Sequence, residues 1–256
     1  YLVNHFESYD MECYRINDGS DNDGMYGIRW ENTGSPVDID GGELKAYLDI
    51  RDGAGTGNTY KGISYYTEQL DRFAGQMALA FNEGIFADGN RYYGGHAGGA
   101  GLDGSTGIRF FSFDGLSSDE FINSAADLDS VYSRVTAANI SISLDIENDL
   151  NLIAAASTGG EEENSGNVDQ LIDLCSDGRM FDDGSLEDFL ESIVSTLGTG
   201  IQHASRMSDM QETIISQIDN KRMSVSSVST EEETLNLTMY QQAYTAAAKM
   251  ITVWNE

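Results

Sequence analysis

The end of the chain constrains the fold more than any other segment, because it predicts a long amphipathic helix. Ser229 or Thr230 is a candidate N-cap, and Glu232 or Glu233 can supply the second half of a capping box. The acidic first turn also complements the positive end of the helix dipole. After it, one stripe of residues recurs at spacings of 4, 3, 4, 4 and 3: Leu235, Met239, Gln242, Ala246, Met250 and Val253. This spacing places the stripe on one side of an α-helix.

Two other segments carry apolar stripes of the same kind. The first is expected to be helical from about Thr59 to Gly84, and its stripe comprises Ile63, Tyr66, Leu70, Phe73, Met77 and Ala80. The second is expected to be helical from Leu186 to about Lys221, and its stripe comprises Leu186, Leu190, Ile193, Leu197, Ile201 and Ala204, prolonged by Ile214 and Ile218. Seams of this kind are typical of helices that pack lengthwise on one another. We therefore predict an α+β, mainly α fold, with a bundle of long antiparallel helices, β-hairpins and β-rich excursions.

The strand signals lie outside these helices. Glu12–Ile16 and Met25–Trp30 alternate and flank a turn-forming stretch, which predicts a hairpin. Ala138–Ile146 also alternates strictly, which predicts a half-buried strand. We expect four regions: a β-rich hairpin region (1–40), a first helical part (41–85), a glycine- and aromatic-rich β excursion standing for a reduced outer domain (86–147), and a second helical part (148–256). An acidic loop at 159–166 is expected to be mobile.

The charge of the chain limits its partners. With 14 basic and 43 acidic residues among 256, the net charge is −29, which disfavours nucleic acid and anionic membranes. No stretch approaches 18 apolar residues, so no membrane span is expected. Cys13 and Cys175 lie far apart, and two buried or partly buried thiols are favoured over a disulfide. Without an initiator Met or a signal peptide at Tyr1, the chain is interpreted as a piece of a longer protein.

The segments that resemble catalytic or ligand-binding motifs do not have the residue spacing that those motifs require. The acidic stretch Asp18–Gly24 fits no frame of a calcium loop, so a hairpin turn is favoured. Gly53–Gly57 lacks the glycine–lysine–hydroxyl order of a phosphate loop. His5, His96 and His203 are isolated, without the spacing of a metal site. We expect no enzyme activity and no metal, nucleotide or other cofactor.

Several motifs, taken together and in order, resemble those of the hook-associated proteins at the hook–filament junction of the bacterial flagellum. The terminal helix contains the most specific one, LTMYQQAYTAAAKMI, at Leu237–Ile251. The others are Gly41–Asp52, Tyr66–Asn82, the pair Phe110-Phe111, Asp149–Ser157 and Gly166–Leu174. The resemblance extends over nearly everything from residue 41 onward. The family's N-terminal polymerisation helices and its last C-terminal stretch have no counterpart in this sequence.

The resemblance implies a structural role outside the cell. It suggests a hook-associated component of the flagellum, exported by the flagellar secretion apparatus, that joins the hook to the filament. The implied partners are the flagellar hook protein, neighbouring hook-associated proteins and an export chaperone. Because the polymerisation helices have no counterpart, this chain alone is expected to be monomeric in solution. The alternative is a surface-exposed adhesin or ligand-binding module of a flagellar axial protein, with its β-rich parts as the binding surface.

The stripe residues are the expected functional residues, because a mechanical role depends on helix packing. They are Ile63, Leu70, Phe73, Met77, Ile193, Leu197, Ile201, Met239, Ala246 and Met250. Packing within the chain is favoured over direct contacts between subunits. On this interpretation, Ala246→Leu would overpack a tight helix interface, whereas Thr245→Leu would be nearly neutral.

Overall fold

Helices form most of the regular structure. The computed structural model describes residues 2–4, 7–17, 25–55, 60–157, 164–226 and 229–254. Asp18–Gly24 and most of the acidic loop at 159–166 lie outside the described residues. The helices are α1 (Gly42–Asp52), α2 (Ile63–Glu83), α3 (Gly95–Gly98), α4 (Ser118–Ile122), α5 (Leu128–Tyr132), α6 (Leu144–Asn148), α7 (Gly166–Leu174), α8 (Leu186–Ser226) and α9 (Thr230–Trp254), with a 3₁₀ turn at Leu150–Leu152. The predicted mainly α class is confirmed.

The strands of the described residues are short and pair only as two-stranded antiparallel sheets. Strand β1 (Leu2–Asn4) pairs with β2 (Glu7–Tyr9), β3 (Met11–Arg15) with β4 (Tyr26–Trp30), and β5 (Phe111–Phe113) with β6 (Ile140–Ile142). The β3–β4 pair is the predicted hairpin. In its register Glu12 lies opposite Arg29, and the guanidinium donates to the carboxylate over 2.7 Å. The same guanidinium lies 4.8 Å above the Tyr14 ring, so a cation–π contact adds to the ion pair.

The predicted strand at Ala138–Ile146 is wrong over most of its length. Only Ile140–Ile142 is extended, because the partner strand β5 has three residues. The chain then turns at Ser143 into α6, where the Asp145 carboxylate accepts from the Ser118 backbone N–H over 2.7 Å. Of the alternating apolar residues, Ile146 is buried while Ile142 and Leu144 are exposed. The alternation of apolar residues therefore continues by chance from the strand into helix α6.

The first apolar cluster packs α2 against the β5–β6 pair and the short helices α4 and α5. Ala74 and Ala78 present a surface of small side chains on α2, and Gly75 lies in the same segment. A Cβ on Gly75 would lie 3.2 Å from the Tyr132 carbonyl oxygen, so this turn of α2 sits close to the backbone of α5. The aromatic rings fill the remaining space, with centroids 5.1 to 5.6 Å apart between Phe113, Phe121 and Tyr132.

The second apolar cluster lies on another side of α2. Ala80 contributes to it from α2, Leu174 from α7 and Phe189 from α8. Connecting segments supply the other buried members, Phe86, Met180 and Phe181. Helix α2 ends at Gly84, whose left-handed backbone lets its N–H donate to the Ala80 carbonyl. A Cβ on Gly84 would lie 2.0 Å from the Tyr93 carbonyl oxygen, so only glycine fits this helix end.

The chain divides into two compact units, Tyr1–Leu197 and Gly198–Glu256. Both apolar clusters belong to the first unit. The predicted bundle of long antiparallel helices is not confirmed, and the predicted four-region division stays a prediction. In the second unit every described side chain of α8 and α9 is exposed. These helices therefore have no apolar core of their own in the described part of the chain.

Buried polar side chains complete the joint between α2 and β5. Asn82 is fully buried, and its Oδ1 accepts from the backbone N–H groups of Phe110 and Phe111 over 2.9 and 3.0 Å. Its Nδ2 donates to the Phe111 carbonyl oxygen over 2.8 Å. Each polar atom of this carboxamide thus satisfies backbone groups that would otherwise be buried without partners.

Asn82→Leu should therefore destabilise the first unit strongly. Leucine has a similar volume but leaves two buried N–H groups and one carbonyl without this partner, at about 1–3 kcal/mol for each unsatisfied group. We expect a loss of about 3 kcal/mol or more, measured by urea unfolding. Asn148→Leu, at an exposed position of the same unit, should change the free energy of unfolding by less than about 0.5 kcal/mol. Equal losses in the two variants would contradict the assigned role of Asn82.

Candidate assembly surface

Three of the ten expected functional residues pack at the second apolar cluster. Phe73 and Met77 of α2 and Ile193 of α8 are partly buried against it. The Phe73 ring stacks on Phe181, with centroids 5.6 Å apart, and Phe181 stacks on Phe189 at 4.5 Å. These contacts attach the first turns of α8 to the middle of α2.

The start of α8 is set by its own N-terminal hydrogen bonds. The Ser185 hydroxyl accepts from the Asp188 N–H, and the Asp188 carboxylate accepts from the Ser185 N–H over 2.9 Å. This reciprocal arrangement is a capping box in which aspartate replaces glutamate. It satisfies two donors at the start of α8 and orients Phe189 for its contacts with Phe73 and Phe181.

The other seven expected functional residues are exposed. On α2, Ile63 and Leu70 lie before the clustered segment and are 59% and 43% exposed. On α8, Leu197 and Ile201 lie beyond it. On α9, Met239, Ala246 and Met250 are all exposed, Met250 to 75%. Their packing role stays a prediction, and within the described residues no side chain of α9 is buried.

The exposed residues of α8 continue its stripe as far as Ile214 and Ile218, the extension that the sequence predicts. Met207, Ile214 and Ile218 follow Ala204 at helical spacings and remain solvent-exposed. At about 100° per residue, these side chains lie within one face of the helix. The exposed part of α8 is therefore an amphipathic helix whose apolar face has no partner among the described residues of the second unit.

Helix α9 has a second apolar face that the sequence stripe did not reveal. Leu237, Tyr240, Tyr244 and Ile251 lie on the side opposite the Leu235–Val253 stripe, as about 100° per residue requires, and all are exposed. A helix that is apolar on opposite sides is typical of one that becomes buried. The signal was available in the sequence, since these four residues also recur at helical spacings of 3, 4 and 7.

Sequence reasoning missed a buried ion-pair group at the end of α2. Glu83 is 4% exposed, and its carboxylate accepts from Arg109 Nε over 2.8 Å and pairs with Arg91 over 3.3 Å. The Tyr132 hydroxyl also donates to Glu83 over 3.3 Å, and burial together with the charge of Glu83 raises the pKa of Tyr132. Both carboxylate oxygens are occupied by these partners, which suits a structural joint and leaves no oxygen directed at a cleft.

The structure also tests for metal sites, membrane-spanning helices and a disulfide among the described residues. Among them no three His, Cys, Asp or Glu side chains group closely enough to hold a metal ion. No helix within the described ranges has the length and apolarity needed to cross a membrane. Cys13 and Cys175 are both free, as favoured, but they are exposed, so the expected burial of the thiols is wrong. Cys13 is an exposed residue of strand β3, and Cys175 follows the last turn of α7.

Comparisons with known proteins give one informative similarity. The chain is similar to flagellar hook-associated protein 1 of Bacillus subtilis (strain 168), with 29% identity over 192 residues. The matched region is 73% of this chain and 33% of the relative, so the chain spans about a third of the length of the curated protein that it matches. No family model matches the chain. No solved structure matches it either.

This similarity agrees with the motif resemblance and supports the flagellar hook-associated family at a coarse level. It gives no support to an adhesin. At 29% identity it does not distinguish one member of such a family from another.

The exposure of α9 changes what substitutions on its stripe should do in the isolated chain. Ala246→Leu and Thr245→Leu both alter exposed positions, so each should change the free energy of unfolding by less than about 0.5 kcal/mol. Denaturant melts of the two variants and the parent chain test this. A loss of about 1–3 kcal/mol for Ala246→Leu alone would instead reveal a tightly packed helix interface within the chain.

Proposed function

We propose that this chain belongs to a structural component of the bacterial flagellum, a hook-associated protein that joins the hook to the filament. The similarity to flagellar hook-associated protein 1 over 192 residues is the observation that carries the proposal. The ordered set of motifs from Gly41 to Ile251 supports it independently of overall identity. On this proposal the protein is extracellular and is exported by the flagellar secretion apparatus.

The distribution of apolar side chains is consistent with a part that completes its core by assembly. In the first unit aromatic residues fill two clusters around α2, while in the second unit α8 and α9 expose their apolar faces. Exposed apolar surface is unfavourable by about 25 cal/mol for each Å², and packing against another helix removes that cost. The predicted stripe residues Ile201, Met239, Ala246 and Met250 would then pack in the assembled flagellum.

The proposed mechanism is mechanical. Helix α8 has 41 residues and therefore extends about 60 Å, long enough to carry load along an assembly. Its first turns pack against α2 through Phe189, so load on the helix would pass to the apolar cluster around that contact. The hook protein, neighbouring hook-associated proteins and an export chaperone are the partners that the proposal requires.

Gold labelling of purified flagella tests the proposal. Antibodies raised against this chain should bind a narrow band at the distal end of the hook in electron micrographs of flagella from the source bacterium. A strain from which the gene is deleted provides the control for antibody specificity. Label spread along the whole filament, or confined to the cell surface away from flagella, would contradict the proposal.

The isolated chain should be monomeric despite its exposed apolar helices. A net charge of −29 produces repulsion between copies that persists at physiological salt, where the screening length is about 8 Å. We expect light scattering at physiological salt to give the monomer mass of 27.9 kDa. A stable ring or filament formed by this chain alone would show that the partners assigned to α8 and α9 are copies of the chain itself.

A further inference from the structure

His96 is the one histidine in the described residues that is buried, and it joins two separate segments of backbone. It lies on the four-residue helix α3 and is 1% exposed. Its Nδ1 is 2.8 Å from the Ile108 carbonyl oxygen, and its Nε2 is 2.9 Å from the Ala154 backbone nitrogen. A carbonyl oxygen can only accept and a backbone N–H can only donate. The contacts therefore require a neutral ring with its proton on Nδ1.

Protonation of this ring would break one of the two bonds. A proton on Nε2 would face the Ala154 N–H, so two donors would meet and the Ala154 amide would lose its acceptor. The ring also packs beside Phe81 and Phe110, with centroids 6.2 and 5.5 Å away, which exclude water from it. A buried imidazolium with an opposed donor is unfavourable, so charging the ring favours separation of the segments.

The charged groups around His96 do not offset the cost of burying a protonated ring. On α2 the buried carboxylate of Glu83 is already paired with Arg109 and Arg91. Helix α7 contributes Asp169, whose side chain is exposed. Burial lowers the pKa of His96, partly offset by the Ile108 carbonyl, and no charged side chain contributes to the shift.

The other contacts of the segment 150–157 lie outside the two apolar clusters, so separation of this segment would be a local opening. Ala154 is also held through its carbonyl by Asn167 Nδ2 over 2.7 Å, and Ala100 and Ala156 exchange backbone hydrogen bonds beside it. None of these residues is a member of either apolar cluster. Loss of the His96 bond therefore loosens the 150–157 segment without removing a side chain from the two clusters.

We propose that His96 is an acid-sensitive bridge between Ile108 and Ala154, whose protonation releases the 150–157 segment while the clusters around α2 stay packed. Because the folded state favours the neutral ring, the bridge is fully stabilising above the ordinary histidine pKa of about 6.5. Its contribution falls as the pH decreases below that value, down to the lowered pKa of the folded state. In this window opening should increase by about tenfold for each pH unit, since one proton is taken up.

NMR on the complete chain tests the bridge. At pH 7.5 the ¹⁵N shifts of the His96 ring should report the neutral Nδ1–H tautomer, and its C2 proton should titrate below the ordinary value. Hydrogen exchange of the Ala154 amide, corrected for the intrinsic rate, should accelerate by about tenfold for each pH unit below about 6.5. The Ala78 amide, inside α2, should exchange much more slowly than the Ala154 amide at every pH, because it opens only when the cluster around α2 comes apart.

Two variants separate the bridge from general acid unfolding. His96→Gln cannot titrate, so the pH dependence of Ala154 exchange should disappear, whereas His203→Gln, at an exposed position of α8, should retain it. If His96→Gln does not fold, the parent titration alone decides the matter. The proposal is overturned by a His96 titration at about the ordinary value, by Ala154 exchange that is independent of pH, or by Ala154 exchange as slow as that of Ala78.

Discussion

Helix α2 is shared by two apolar clusters, and the rest of the first unit is arranged around it. Small side chains at Ala74, Ala78 and Ala80 allow neighbouring elements to approach the helix on two sides. Because interiors are packed at nearly crystalline density, replacing these small residues would force both clusters apart. At the end of the helix the contacts become polar, where Asn82 and Glu83 bind the segment that leads into β5. Apolar packing thus positions the helix, and buried hydrogen bonds fix its end.

The second unit differs from the first in leaving its apolar side chains exposed. Its two helices expose apolar stripes that a folded monomer would normally bury, and in α9 these stripes occupy opposite sides. The strong negative charge keeps such a surface soluble by repulsion between copies. A chain of this design gains most of its remaining stabilisation from partners, which fits the proposed role in a flagellar assembly.

Helix positions were predictable from the sequence because their signals are local and periodic. The stripes placed α2 and α8 within a few residues of their observed bounds, and the β3–β4 hairpin followed from alternation around a turn. The incorrect or missing predictions concern residues whose structure depends on tertiary contacts rather than on the local sequence. Ala138–Ile146 alternates, but its partner strand is only three residues long, so most of the segment did not extend. Asn82, Glu83 and His96 gave no periodic signal, because their importance lies in backbone groups far away in the sequence.

Hydrogen exchange of the isolated chain, resolved by segment, tests the central contrast between the two units most directly. The account predicts slow exchange in α2 from Phe73 to Glu83, close to the limit set by global unfolding, because this segment lies between both clusters. It predicts much faster exchange throughout α9, from Thr230 to Trp254, because no described side chain there is buried. Equal protection of α9 and α2 would mean that the terminal helix already has a packed partner within the chain, and would contradict the account.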